Sequence, residues 1–343
     1  VGVQGFVKYG RRDNDSSYPV TNFFDSRPGF TEREIFVVRI NRLESTSYGL
    51  AAVVRPPRLG STVTLGWKAE DKSRDLTFDS AGVISSASLY RGDTETDEVY
   101  LKWSSPNVKG AILRLTSSYA WADKTGLVTE PSEAFGLKAA LNYMMPGGAV
   151  FSSYYGLKDR ANDNNTITDK NVVTVLTHRQ DVSSTVQSAG ASCTFKPAKE
   201  ANASVGLDWT RLDASVLYFE NTRRRYESTT SFGLRDTVGS LVDDYTFSVA
   251  ADYKANARLK FDGAYYLSRS DGNLASGEIA AQLSSVDDTL DNILHTVVLG
   301  ADYALTKTRR LRVSYRYDNY EDSAYPVLSG GAHSVMVALS FSL

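Results

Sequence analysis

Three histidines, His178, His295 and His333, and a single cysteine, Cys193, are the residues of this 343-residue chain best suited to metal or nucleophilic chemistry. A metal centre or a general base needs partners at set spacings, and none accompanies these three histidines. His333-Ser334 is the one adjacent pair of the kind that nucleophilic hydrolysis uses, and no further motif supports it. The preferred reading is surface or interfacial histidines, with Cys193 as a small hydrophobe on an apolar face. Oxygen-rich runs, Asp159 to Asp169 and Asp287-Asp288-Thr-Leu-Asp291, carry the ligand type that calcium prefers, but their order does not match the twelve-residue calcium loop. They read as solvated loops. Arg223-Arg224-Arg225 could meet lipopolysaccharide phosphate and reads first as a solvated run. The chain has no Cys-x-x-Cys-His and so attaches no c-type haem of its own. It has no phosphate-loop or dinucleotide glycine fingerprint either. The expectation is a protein that is not an enzyme and holds no cofactor.

Composition narrows the remaining classes. Lysine plus arginine number 38 against 40 aspartate plus glutamate, so the chain lacks the basic balance that a nucleic-acid partner requires. No run of about 18 to 20 apolar residues is present to cross a bilayer as a helix. The chain opens Val1-Gly-Val-Gln-Gly-Phe6 with no export signal in view, which reads as a mature or trimmed chain. One cysteine excludes an internal disulfide, so stability must come from elsewhere. Tyrosine (20) and phenylalanine (14) outnumber proline (9), a balance that strands and membrane interfaces favour.

Period-two alternation then organises the chain. Val297, Leu299, Ala301 and Tyr303 alternate with polar or small residues, pass through a short turn, and resume as Leu311, Val313, Tyr315 and Tyr317. The same unit recurs at Tyr245–Leu267, Ala189–Trp209, Phe135–Leu157, Val99–Trp121 and Leu50–Trp67. That makes six hairpins with Gly, Pro or Asn at many of their tips. Between them lie long polar stretches: Asp71 to Thr96, Asp159 to Ser184, Glu220 to Asp243 and Asp271 to Asn292. Trp67, Trp103, Trp121, Tyr143, Trp209, Tyr253 and Tyr303 stand near the ends of the apolar faces, where interfacial girdles belong. Short turns at one rim and long polar loops at the other predict an all-β, antiparallel, up-and-down transmembrane barrel over residues 1–343, as one domain. A soluble sandwich would alternate too, but would pack its apolar faces together.

On these hairpins and the closing segment His333-Ser-Val-Met-Val-Ala-Leu-Ser-Phe-Ser-Leu343, the chain resembles Gram-negative outer-membrane β-barrels over nearly its whole length. Those barrels typically end on a terminal aromatic, whereas this chain ends Phe341-Ser-Leu343. A weaker resemblance, carried by Ala251-Asp252-Tyr253 and Ala301-Asp302-Tyr303 before short turns, is to the porin-like sleeves of porin–cytochrome electron conduits. The Cys-x-x-Cys those sleeves often carry near the start is missing here. The resemblance implies residence in the bacterial outer membrane among lipid and lipopolysaccharide, with a multihaem cytochrome as a possible protein partner. Gly2 to Arg11 reads as one strand. Phe36 to Val54 would measure about 60 Å at roughly 3.3 Å per residue, so a break is expected near Leu43 to Thr46. The expected strand number is 14 to 16, with 16 preferred because such barrels usually have even counts.

Function must then lie in the lumen or the loops. The expected lumen face carries Arg114, Lys138, Asp208, Asp252, Lys260, Asp262, Asp302, Arg310, Arg312 and Arg316 among Gly, Ser, Thr and Ala; Lys68, Lys102 and Lys158 belong to the same in-between set. Either this charge selects solutes or docks a protein, or it is internal salt-bridge packing. The first functional expectation is a porin-like channel for small solutes or ions. The alternative is a sleeve that houses a multihaem cytochrome for transmembrane electron transfer.

Overall fold

The computed structural model describes residues 1–13, 37–57, 60–79, 93–125, 130–169, 176–220, 234–273, 289–306 and 308–341. The strands of the first half are β1 (Gly2–Asp13), β2 (Val37–Val54), β3 (Thr62–Asp79), β4 (Thr94–Ser104), β5 (Ala111–Lys124), β6 (Glu133–Met144) and β7 (Val150–Asp169). The second half supplies β8 (Leu176–Ala198), β9 (Ala201–Glu220), β10 (Leu234–Lys254), β11 (Leu259–Asn273), β12 (Thr289–Ala304), β13 (Arg309–Asp322) and β14 (Gly330–Phe341). All 14 lie in one sheet in chain order, each pairing antiparallel with its sequence neighbours. β1 and β14 are its two edges, and among the described residues the sheet is not closed through them. Among the described residues no helix is long and apolar enough to cross a membrane.

The six hairpins read from the sequence are β2–β3, β4–β5, β6–β7, β8–β9, β10–β11 and β12–β13, all turning at the same rim. Their turns are tight. Met145 to Ala149 closes with Gly148 N–H donating to the Met145 carbonyl, and Gly147 and Gly148 adopt φ of 97° and 85°. An L-side chain is strained in that region, so the sequence places glycines there. The opposite rim carries the longer connections. Between β13 and β14 the connection includes a single 3₁₀ turn, Pro326–Leu328.

Among the described residues the strands number 14, within the expected 14 to 16 and below the preferred 16, and the expected break near Leu43 to Thr46 is absent. β2 runs unbroken from Val37 to Val54, with a register shift only between Ile40 and Arg42. The length argument fails because a strand need not stop where the hydrocarbon does. Backbone pairing continues beyond it, as in β8, which reaches 23 residues. For the same reason the polar stretches expected as loops are strand at their ends, and Asp159 to Ser184 over most of its length: β3 continues to Asp79, β7 to Asp169, and β10 starts at Leu234.

The sheet has no packed apolar core among the described residues. The buried hydrophobic residues are Ala69 and Val242 alone, whereas Leu65, Leu207 and Leu299 are 61%, 56% and 52% exposed. These side chains share one face, because cross-strand partners point the same way and successive residues alternate. Leu207, for example, lies between Ala191 of β8 and Phe247 of β10, and Leu299 between Gly263 and Tyr315. In water such a face would be a very large exposed apolar patch. Facing lipid, it is the stabilising surface, and the hydrogen-bonded ladder satisfies the backbone that lipid cannot.

Two rows of aromatics bound this face. Toward the short turns stand Trp103, Tyr143, Tyr253 and Tyr303, and toward the long connections Trp67, Trp121, Trp209 and Tyr245. Trp67 Nε1 donates to Asp97 and Trp209 Nε1 donates to Asp243, both at 2.9 Å, so two hairpins repeat one device that holds the indole at a polar boundary. Along β10, Tyr245 and Tyr253 are about 27 Å apart at roughly 3.4 Å per residue. At a tilt of about 40° that spans a depth of ~20 Å, close to the apolar band of an outer-membrane barrel.

Candidate functional site: the polar face of the sheet

The face opposite the apolar band holds every residue expected to line a lumen. Arg114 lies on β5, Lys138 on β6, Asp208 on β9, Asp252 on β10, Lys260 and Asp262 on β11, Asp302 on β12, and Arg310, Arg312 and Arg316 on β13. Each is out of phase with its strand's apolar positions. The structure brings most of them into two groups near the short-turn rim and the middle of the strands.

The first group spans β9 to β13. Asp302 sits in register with Lys260 on one side and Arg312 on the other. The Arg312 guanidinium donates to Asp302 at 2.5 Å and to Asp262 at 2.9 Å, bridging three strands. Lys260 Nζ lies 3.4 Å from Asp252, whose carboxylate also accepts from the Asn202 amide at 3.1 Å. The planar fork of arginine suits such a double contact, which a lysine could not make. Gly300 makes the reach possible: it stands between Asp262 and Ser314, and a Cβ there would come within 2.5 Å of Asp262 Oδ2. Gly300→Val is therefore expected to swing Asp262 away from Arg312 and to destabilise the protein by about 1–3 kcal/mol. Urea titration in micelles, read by tryptophan fluorescence, measures this, and an unchanged midpoint would remove Gly300 from the account.

The second group spans β4 to β9. The Tyr154 hydroxyl donates to Asp208 at 2.9 Å, across Gly190, where a Cβ would lie 2.2 Å from Asp208 Oδ1. Lys138 Nζ stands 5.7 Å from the centre of the Tyr154 ring, and Lys102 Nζ 4.7 Å from that of Tyr100. Both are cation–π distances. Tyr100 and Tyr154 were not singled out from the sequence. Their signal was present: each is an aromatic at the polar phase of its strand, which lipid contact does not explain.

The remaining expected residues fall apart. Arg316 pairs with Asp318 on its own strand, at 2.6 Å, and Asp318 accepts from Thr296. Arg310 lies at the short-turn end of β13 and makes no ion pair among the described residues. His295 and His333 are on the apolar face, accepting or donating through Nδ1 to the Tyr265 and Tyr315 hydroxyls at 2.8 Å. His333 and Ser334 thus point to opposite faces and cannot act as a pair. Cys193 takes its place on the apolar face between Phe151 and Val205. Asp159 is on that face too, accepting from Thr185 in the strand region of β7 rather than in a loop. Among the described residues no cluster of histidine, cysteine and carboxylates has the geometry to hold a metal ion. The His178 side chain, Arg223 to Arg225 and Asp287-Asp288 lie outside the described residues.

At the long-connection end, a further polar node crosses strands. Arg74 of β3 pairs with Glu130, Thr94 Oγ1 donates to the same carboxylate, and the Asn162 amide donates to the Glu130 carbonyl. The segment before β6 is thereby tied across β4 to β3 and β7, with Thr94 and Asn162 buried.

A polar face, an apolar face bounded by aromatics, and strands that pair only with their sequence neighbours define an outer-membrane β-barrel protein, located in the bacterial outer membrane. The family model for outer membrane beta-barrel porins of the MtrB/PioB type matches residues 176–328, somewhat under half of the chain. Over that stretch, β8 to the turn before β14, the chain is similar to that family. Among solved structures, OmpT of Vibrio cholerae is 12% identical with a TM-score of 0.38, covering 98% of this chain and 97% of its own. The copper transporter OprC is 12% identical with a TM-score of 0.41, over 83% of this chain and 54% of its own. An anion-selective porin from Comamonas acidovorans is 10% identical with a TM-score of 0.34, over the whole of both chains. Likenesses at this level carry no argument about function. No curated protein matches the chain.

Proposed function

We propose that the chain is a porin-like channel whose polar face lines a wet path for small solutes or ions across the outer membrane. One observation carries the reading. The polar face holds exposed basic and half-buried acidic side chains among Gly, Ser and Thr, and among the described residues it has no apolar packing that would fill an interior. Such a lining is wet or meets a polar partner. Catalysis finds no support, since His295 and His333 face the apolar side. In a planar bilayer the purified full chain is expected to give steady, ohmic conductance steps. Absence of conductance from protein that has inserted and folded would overturn the channel.

The second reading is a sleeve around a multihaem cytochrome. It is favoured by the family match over residues 176–328, which includes both Ala-Asp-Tyr hairpin edges that carry the weaker resemblance. Purification from native membranes in mild detergent separates the two. A stoichiometric haem-staining partner with a Soret band supports the sleeve, and a colourless conducting barrel supports the channel.

A further inference from the structure

The charges of the polar face are not spread evenly. On β9 to β13 the carboxylates Asp252, Asp262 and Asp302 are each tied to Lys260 or Arg312, so that arc is close to self-neutralised. On β4 to β7 the pattern is different. Lys102, Arg114, Lys138 and Lys158 stand one per strand on four adjacent strands, all exposed on the polar face. None of the four forms an ion pair with a carboxylate among the described residues. Of the carboxylates of this half, Glu70 lies 3.4 Å from Lys68 Nζ, while Glu98, the register partner of Lys68, acts on Lys158 at longer range against the like charge of Arg160.

Register fixes the spacing of the four. Lys102 and Lys138 share a row through Thr116, Arg114 lies one row nearer the short turns, and Lys158 one row farther, opposite Gly136. With strands about 4.8 Å apart and rows about 6.7 Å apart, neighbouring cations start about 8 Å from one another. Their fields therefore overlap within one Debye length at about 0.1 M salt. Tyr100 and Tyr154 lie beneath two of the ammonium groups, and small residues (Thr116, Gly136, Gly156) separate them, so among the described residues the row carries no ion pair on the wet side.

We propose that Lys102, Arg114, Lys138 and Lys158 form a cationic staircase along which small inorganic and organic anions pass, making the channel anion-selective. This rests on the channel reading and names its solute class. The test is the reversal potential of the full chain in a planar bilayer under an about tenfold KCl gradient. The expected result is chloride preferred over potassium by about threefold or more near 0.1 M, falling toward parity near 1 M, where the Debye length shrinks to about 3 Å. Combined Lys102→Gln, Arg114→Gln, Lys138→Gln and Lys158→Gln is expected to abolish the preference while conductance persists. Lys138→Glu alone, a gentler change to the fold, is expected to reduce it. A conducting wild-type channel with no preference, or with a preference for potassium, overturns the staircase and leaves the channel standing. So does an anion preference that survives these substitutions. A folded, inserted protein that does not conduct overturns both.

Discussion

Val205→Arg is expected to destabilise the folded protein in a bilayer by about 2–4 kcal/mol, the cost of a cation on the lipid face near the midplane. Val205 lies on β9 midway between Ala201, the register partner of Tyr253, and Trp209 on the apolar face, 38% exposed to a medium that the sequence requires to be apolar. Its neighbour on the same strand, Ser204, points to the opposite face, in register with Ala250 and Thr194. Ser204→Lys is therefore expected to cost less than about 1 kcal/mol, since a charge there stays hydrated. The comparison is made by reversible urea unfolding in lipid vesicles, and the contrast between the two positions matters more than either value. Equal costs would mean that both faces meet the same solvent, and the assignment of lipid to one face would fall.

Arg312→Gln is expected to have the second largest effect, on stability and on ion preference together. Among the described residues the guanidinium is the one group bound to both Asp262 and Asp302, and its loss leaves two carboxylates diagonal across adjacent strands, their backbones about 8 Å apart, with Lys260 nearby. All three groups are roughly a third exposed, so water offsets much of the loss. A cost of about 1–2 kcal/mol follows for charge-assisted hydrogen bonds in a wet setting. The freed negative charge is expected to move the reversal potential toward potassium. Adding Asp302→Asn to Arg312→Gln tests the pairing, with a coupling of about 1 kcal/mol expected between the two changes. Additive effects would show that the triad is three independent charges.

Much of this architecture was legible in the sequence because the period-two signal is long and repeated. All six hairpins paired as the alternation implied, and the aromatic boundaries fell where their apolar faces ended. The misreadings have one physical origin. Alternation of apolar residues reports the part of a strand that lipid touches, whereas backbone pairing continues into water without needing an apolar side chain. Hence β2 was expected to break where it only leaves the bilayer, and Asp159 to Asp169 was expected as a loop although its backbone is strand.

The candidate site divides along the same line. The sequence by itself determined which residues share a face, since phase within a strand is local, and so it placed all ten expected polar-face residues correctly in phase. It could not determine which of them meet. Whether Arg312 reaches Asp262 across Gly300, or Lys102 and Lys138 stand in one row with no carboxylate beside them, depends on the register between strands far apart in the chain. Register is a tertiary quantity, set jointly by turn length and by matching one strand's apolar stretch to the next. Only that matching turned a balanced list of charges into an ion-paired arc on one side and, among the described residues, an arc of exposed cations without ion pairs on the other.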